Sequence, residues 1–358
     1  MPHTSDARIR LRKTSGYDLT MSESKAFISG CKGLSLTDEE KAFFAGERPW
    51  GFILFGRNIG EAQQIADLVA EMRESIGNPH ALVLIDQEGG RVQRIRPPLL
   101  PQYPNGAAIG EIYRRDREEG LRAAWLMSRL HAFDLTRFGI TVDCLPVLDV
   151  PIEGSSEVIG NRAYGFDPHA VAEIGKAAAE GLKAGGMLPI MKHMPGHGRA
   201  FVDSHHKLPV VDVSLDLLER SDFVPFRAMK DELMAMSAHI VFTAVDAENP
   251  VTTSARAVDE VIRGRIGFDG LLMSDDVSMN ALAGDIETRA RGIFDAGLDL
   301  VLHCHGIMDE MLAVAKVAPV LAGDALRRTM AAEAGFRVAD ASDEQALREE
   351  FAGLFAVS

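Results

Sequence analysis

Met187-Leu188-Pro189-Ile190-Met191-Lys192-His193-Met194-Pro195-Gly196-His197-Gly198-Arg199-Ala200-Phe201-Val202-Asp203-Ser204-His205 opens as a short apolar run and changes character at Lys192. The first five residues suit a strand buried in a sheet. The remainder, with its Lys-His pair, two glycines, a proline and an Asp-x-His dyad, suits a long polar loop. A buried lysine is costly unless paired, so Lys192-His193 at a strand end is expected on a working rim rather than in the core.

The same pattern recurs along the chain. Short apolar runs lie at Lys25–Gly30, Gly51–Gly56, Ala81–Asp86, Thr141–Asp149, Met187–His193, Met236–Val245, Gly270–Asp275 and Leu298–Cys304. Helical patterns separate them. In Glu61–Gly77, Ile65, Leu68, Val69, Met72 and Ile76 share one face and Gly77 is placed to end the helix. Ala281–Gly297 repeats the pattern with Ile286, Ala290, Ile293 and Phe294. Eight strands alternating with helices predict a parallel sheet closed as a (β/α)8 barrel, an α/β fold of the TIM type. A doubly wound open sheet is the alternative, disfavoured because no Gly-x-Gly-x-x-Gly comes after the first strand. The expected organisation is an N-terminal extension over 1–24, with Met21 a candidate alternative start. The catalytic barrel occupies 25–335, its part after about Gly306 reading as helices broken near Pro319, and a C-terminal, partly helical tail occupies 336–358.

Composition narrows the function. Of 358 residues 46% are hydrophobic, and 38 Lys and Arg face 52 Asp and Glu, a net charge of −14. No Lys/Arg run offers a basic face, so nucleic acid and anionic membranes are not expected partners. Cys31, Cys144 and Cys304 are far apart and sit in or beside apolar runs, as buried reduced thiols would. The N-terminus has no continuous apolar segment of a secretory signal, and no stretch reaches the roughly 18–20 residues that span a bilayer. A cytoplasmic protein is expected.

Barrel enzymes carry their chemistry at the C-terminal ends of strands. Here those ends read Asp86-Gln87-Glu88-Gly89-Gly90-Arg91-Val92-Gln93-Arg94, then Asp149 with Asn161-Arg162, Lys192-His193 with Asp203-Ser204-His205, Ser274-Asp275-Asp276, and His303-Cys304-His305. Blander readings compete at each. Asp86 could cap a helix, Arg94 could be a surface arginine and Gly89-Gly90 could serve only a turn. Asp275-Asp276 could cap a helix running from Ser278 to Gly297. The fifth loop also admits a metal site built from His193, His197, His205 and His206, although no His-x-His ends the first strand.

Three motifs in order resemble glycoside hydrolase family 3: Lys192-His193-Met194-Pro195-Gly196-His197-Gly198 with Asp203-Ser204-His205, Ile85-Asp86-Gln87-Glu88-Gly89-Gly90-Arg91, and Ser274-Asp275-Asp276-Val277-Ser278-Met279. The similarity runs from roughly Ala26 to Cys304. More narrowly, the chain looks like the single-domain bacterial β-N-acetylglucosaminidases of peptidoglycan recycling. The family usually has Phe where Met194 stands and often Ser where Ala163 stands.

The resemblance implies a barrel that removes terminal non-reducing N-acetylglucosamine from muropeptides or chitobiose-like sugars, with no metal or other cofactor. By position, Asp275 matches the nucleophile, His205 the general acid/base and Asp203 its partner. Asp86, Arg94, Arg162, Lys192 and His193 match residues that hold the sugar. A histidine suits proton transfer near neutrality, since its ordinary pKa is about 6.5. Rival readings are a β-N-acetylglucosaminide phosphorylase, a β-glucosidase, a metal-dependent hydrolase and a non-catalytic sugar-binding barrel. Oligomeric state is not legible in the sequence.

Overall fold

The structure is a computed structural model that describes residues 24–202, 204 and 208–356. The sheet strands are β1 (Lys25–Ser29), β2 (Pro49–Leu54), β3 (Leu82–Ile85), β4 (Val142–Asp143), β5 (Leu188–Pro189), β6 (Met191–Met194), β7 (Met234–Ser237), β8 (Leu271–Asp276) and β9 (Leu300–His303). They form one sheet in the order β5-β4-β3-β2-β1-β9-β8-β7-β6. Every pair in it is parallel.

The two edges of that order, β5 and β6, are one segment interrupted only at Ile190. The sheet therefore closes on itself as an eight-stranded barrel. Backbone bonds across the seam complete the closure: Ile190 N donates to Asp143 O at 3.1 Å, Lys192 N to Pro146 O at 3.0 Å and Leu148 N to Lys192 O at 2.7 Å.

Strand residues alternate between two cores. Ile28, Ile53, Leu84, Val142, Ile190, Met236, Met273 and Leu302 share one apolar cluster inside the barrel. Their neighbours Phe27, Phe52, Val83, Ala235, Leu272 and Val301 belong to the second cluster, packed under the helices. This is the period of two that a strand buried on both faces imposes. Leu321 and Ala332 belong to the inner cluster, and Trp50 Nε1 donates to Glu333 at 2.7 Å. The helix Gly323–Ala334 thus plugs the end where the strands begin.

Helices occupy the expected intervals. Ala62–Ser75 is succeeded by Gly77 at φ +65°, a left-handed conformation that glycine adopts without a Cβ penalty. After the barrel come Met308–Val317, the break around Pro319, Gly323–Ala334 and Glu344–Phe355. No described helix is long and apolar enough to cross a membrane. The three cysteines are buried and unbridged.

Three boundaries differ from expectation. The fourth run pairs regularly only at Val142–Asp143, because Leu145 N turns back to Asp143 O at 2.8 Å, and it rejoins its neighbour only as a bridge from Val147 to Lys192. The sixth strand is Met234–Ser237 rather than Met236–Val245. Val241–Phe242 instead pairs in parallel with Val210–Val211 outside the barrel, and a continuous apolar run gives no sign of where a chain leaves a sheet. The helix expected from Ala281 starts at Ile286, where Asp285 accepts from Thr288 N. The extension expected before Ser24 lies outside the described residues.

Candidate active site

The barrel register assigns the site. Continuing each inward row by two residues takes Leu84 to Asp86, Ile190 to Lys192, Met273 to Asp275 and Leu302 to Cys304. All four line a cleft of about 830 Å³, open mouth included, at the C-terminal ends of the strands. Arg91, Arg94, Arg162, His193 and Asp276 line it as well, over an apolar floor that includes Ile53, Met236 and Leu302. Polar groups converging on a floor of this kind are what a pocket for a small polar ligand requires.

One wall is a ladder of alternating charge. Arg94 Nη2 meets Asp86 Oδ2 at 2.7 Å, and Asp86 Oδ1 meets Lys192 Nζ at 2.8 Å. Lys192 Nζ also meets Glu88 Oε1 at 2.6 Å, and Glu88 receives the Arg162 guanidinium on both oxygens, at 2.7 and 2.8 Å. Burial alone would raise both carboxyls. The Lys192 and Arg94 charges instead hold Asp86 well below the carboxylate range, and Arg162 and Lys192 hold Glu88 at about 2. Burial likewise disfavours the Lys192 ammonium, and Asp86 and Glu88 outweigh it and keep it charged.

The ladder stands on a hairpin. Gln87–Gly89 pairs antiparallel with Val92–Gln93, turning through Gly89 and Gly90 at φ +92° and +58°. A Cβ on Gly89 would come within 2.1 Å of Pro104 O, so glycine is required there for both conformation and space. The Gln87 side chain accepts from Arg94 N and Ile95 N, fixing where Arg94 leaves the hairpin. The Arg94 guanidinium also lies over the Phe55 ring, 4.7 Å from its centroid.

His193 is held from behind by Asp149, a buried carboxylate that accepts from His193 Nδ1 at 2.7 Å and from His197 N at 2.7 Å. In the neutral imidazole the proton therefore sits on Nδ1, leaving Nε2 as an acceptor, with Arg162 Nη2 3.5 Å away. Burial would raise Asp149, but its interactions with His193 and His197 keep it below the ordinary range. His197, buried beside this pair, has no hydrogen-bond partner on either ring nitrogen among the described residues, and burial lowers it to about 4.

Asp275 and Asp276 divide their work. Asp276 Oδ1 accepts from Ser278 N at 3.1 Å and Cys304 N at 3.2 Å, so it organises a turn and ties β8 to the end of β9. It does not cap the helix expected from Ser278. Among the described residues Asp275 accepts only from Asp276 N, at 2.7 Å, and otherwise faces the cleft. Burial would raise its carboxyl, yet His193, His239 and Lys192 pull it below the ordinary value. His239, fully buried, bonds to Thr252 Oγ1 at 2.8 Å and donates from Nε2 to Asp276 O at 2.9 Å, bracing the same corner.

Asp86, Arg94, Arg162, Lys192, His193 and Asp275 thus meet in one cleft. Asp203 and His205 lie outside the described residues, as does His206 of the metal-site reading. Among the described residues no group of three or more His, Cys, Asp or Glu is placed to hold a metal ion. Sequence reasoning did not assign Glu88, Asp149 or His239 a role. Glu88 stands inside the Asp86–Arg94 motif, two residues beyond Asp86, and that short spacing is the available signal. Asp149 stands at a predicted strand end, which marks the rim but not its partner, and His239 acts on partners distant in sequence and gives no signal.

Residues 16–335 match the glycosyl hydrolase family 3 N-terminal domain. A beta-hexosaminidase of Bordetella avium is 36% identical over 308 residues, covering 84% of this chain and 87% of that protein. One of Chromobacterium violaceum is 38% identical over 291 residues, 80% of each. Among solved structures, NagZ from Neisseria gonorrhoeae in complex with N-trifluoroacetyl-D-glucosamine superposes with a TM-score of 0.82 at 32% identity, covering 94% of this chain and 98% of that one.

Proposed function

The chain belongs to glycosyl hydrolase family 3 and is a glycoside hydrolase of the β-N-acetylhexosaminidase kind, and from that premise we propose a retaining exo-β-N-acetylglucosaminidase with Asp275 as nucleophile. The observation that carries the reading is the placement of an ionised, largely unengaged Asp275 across the cleft from the Asp86–Lys192–Glu88–Arg162 ladder.

In the first step an Asp275 oxygen attacks the anomeric carbon while the glycosidic oxygen leaves with a proton from His205. In the second, water attacks that carbon, His205 takes its proton, and the ester to Asp275 breaks with retention. Asp203 holds the His205 tautomer, as an orienting carboxylate does in other Asp-His pairs. Those two roles rest on the family motif. Asp86, Arg94, Arg162, Lys192 and His193 hold the sugar through charge-assisted hydrogen bonds to its hydroxyls.

The substrate is proposed to be β-1,4-linked N-acetylglucosamine-1,6-anhydro-N-acetylmuramic acid, with or without peptide, met in the cytoplasm during cell-wall recycling. Arg91 supports an acidic leaving group. It lines the cleft, is exposed, donates from Nη2 to the backbone oxygens of Glu157, Val158 and Ile159, and forms no ion pair among the described residues. Residues 25–335 are proposed as the catalytic unit, with 336–358 as its tail.

The test is twofold. p-Nitrophenol release should strongly favour the β-N-acetylglucosaminide over the β-glucoside, independent of phosphate and EDTA, and a 2-fluoro sugar should label Asp275. Glucoside preference would assign a β-glucosidase, phosphate dependence a phosphorylase, and loss with EDTA a metal-dependent enzyme. Label mapped to any other residue overturns the nucleophile.

A further inference from the structure

The helix Glu344–Phe355 lies beyond the segment that matches the family model, yet it is bolted to the helix Arg117–Thr136 and to Tyr103, beside the hairpin that carries Asp86, Glu88 and Arg94. Arg348 Nη1 donates to the Tyr103 hydroxyl at 3.1 Å, and its Nη2 pairs with Asp134. Tyr103 OH donates in turn to Asp134 Oδ2 at 2.6 Å. Asp134 is only 1% exposed, so the carboxylate at the centre of this junction is buried, while Arg348 reaches it from the surface with 29% of its side chain exposed. Phe351 packs on the Tyr103 ring with centroids 6.2 Å apart, and Leu347 is buried beneath the helix.

Tyr103 passes the restraint upward by two routes. Through its backbone, Tyr103 O accepts from Gly90 N at 2.9 Å and Tyr103 N donates to Gln93 Oε1 at 3.0 Å, so residues 101–104 are laced to the hairpin turn. Through its ring, it stands edge-on to buried His131, centroids 4.5 Å apart. His131 Nδ1 meets Asp143 Oδ2 at 3.2 Å, and Asp143 Oδ1 accepts from Gln87 N at 3.0 Å, directly between Asp86 and Glu88. Both the turn and the root of the hairpin are therefore tied to one residue, the turn through its backbone and the root through its ring, and its hydroxyl is tied to the terminal helix.

We infer that the helix Glu344–Phe355 is a strut that sets the position of the hairpin bearing Asp86, Glu88 and Arg94, with Tyr103 and Arg348 as positioning residues for sugar binding. Neither residue lines the cleft, and the proposed nucleophile's strand β8 takes no part in this linkage. Loosening the strut should therefore weaken ground-state and transition-state binding alike, raising KM and sparing kcat. The kinetic part rests on the proposed function; the mechanical part does not.

The experiment uses the full chain with Tyr103→Phe and Arg348→Ala, read by amide hydrogen exchange and by turnover of p-nitrophenyl N-acetyl-β-D-glucosaminide. Tyr103→Phe removes one hydroxyl and leaves the Arg348–Asp134 pair standing, so it guards against a folding failure of the arginine variant. We expect peptides covering 87–104 to exchange about fivefold faster in Tyr103→Phe, which loses the hydroxyl's bond to Asp134 and the one it accepts from Arg348, with exchange in 271–276 unchanged. KM should rise by about the same factor with kcat held. Unchanged exchange over 87–104 in a folded Tyr103→Phe protein overturns the strut. A loosened hairpin with unaltered KM overturns its role in sugar binding. If the wild type fails to turn over the sugar, the functional reading falls while the exchange result still decides the strut.

Discussion

Glu88 Oε1 lies 2.6 Å from Lys192 Nζ, and neither side chain is more than 4% exposed. Lys192 joins the Asp86 and Glu88 halves of the charge ladder, and Glu88 is what fixes Arg162. Glu88→Ala leaves a buried ammonium with one partner fewer and a guanidinium with none of its carboxylate. Breaking such a pair costs about 3–5 kcal/mol, so the variant should show a lower urea midpoint and a raised KM. A midpoint equal to the wild type's would mean that water replaces the carboxylate and that the ladder is not a unit.

The same charges make stability depend on acid. Both carboxyls have folded pKa values below their ordinary ones, Glu88 at about 2 against about 4.3 for glutamate and 3.9 for aspartate in a free chain. The stabilisation they give is then complete above those ordinary values, and it drains away as pH falls through the folded ones. Urea midpoints of the wild type should drop between about pH 4.5 and 2, and Glu88→Gln should flatten that drop. A steep fall beginning near neutral pH would place the controlling group elsewhere.

Much of this is legible in the chain. Eight apolar runs mark out the barrel, and the motif residues Asp86, Lys192 and Asp275 prove to be the inward rows continued by two, which is why they meet in the cleft. Two things are hidden. A strand's exit from the sheet leaves no mark in a continuous apolar run, so the expected strand Met236–Val245 starts too late and runs too long. Buried partners such as Asp149, His239 and Tyr103 act through contacts 44, 13 and 245 residues away along the chain, and local pattern carries no information about which residues those are.

Asp149 bears on His193 in a way that can be isolated. Its carboxylate takes the Nδ1 proton and leaves Nε2 to accept. Asp149→Asn offers an amide that can donate, which favours the opposite tautomer and turns Nε2 into a donor toward Arg162. With one charged hydrogen bond lost and another made repulsive, kcat/KM should fall about tenfold or more in a protein of unaltered circular dichroism. Retained kcat/KM would show that His193 acts only by shape.

Arg91 offers a test of the leaving group. Because it forms no ion pair among the described residues, its guanidinium is available to a carboxylate at the cleft mouth. Arg91→Ala should weaken turnover of the proposed muramic-acid-linked substrate by about tenfold in kcat/KM, a charge-assisted bond's worth, and leave the neutral aryl glycoside nearly unaffected. Equal losses on both would assign Arg91 to holding the Glu157–Ile159 loop instead.

Adjacent Asp275 and Asp276 provide the sharpest contrast. Asp276 is committed to two backbone amides of the turn and of β9, whereas Asp275 keeps its carboxylate for the cleft. Asp275→Asn should therefore lower kcat by about a thousandfold or more, abolish labelling by a 2-fluoro sugar, and barely move the melting temperature. Asp276→Asn should still be labelled, at Asp275, while melting earlier because an amide satisfies the two N–H groups less well than a carboxylate. Labelling lost in Asp276→Asn but kept in Asp275→Asn would exchange the two roles, and the turn's hydrogen bonds would then have to break each time the enzyme works.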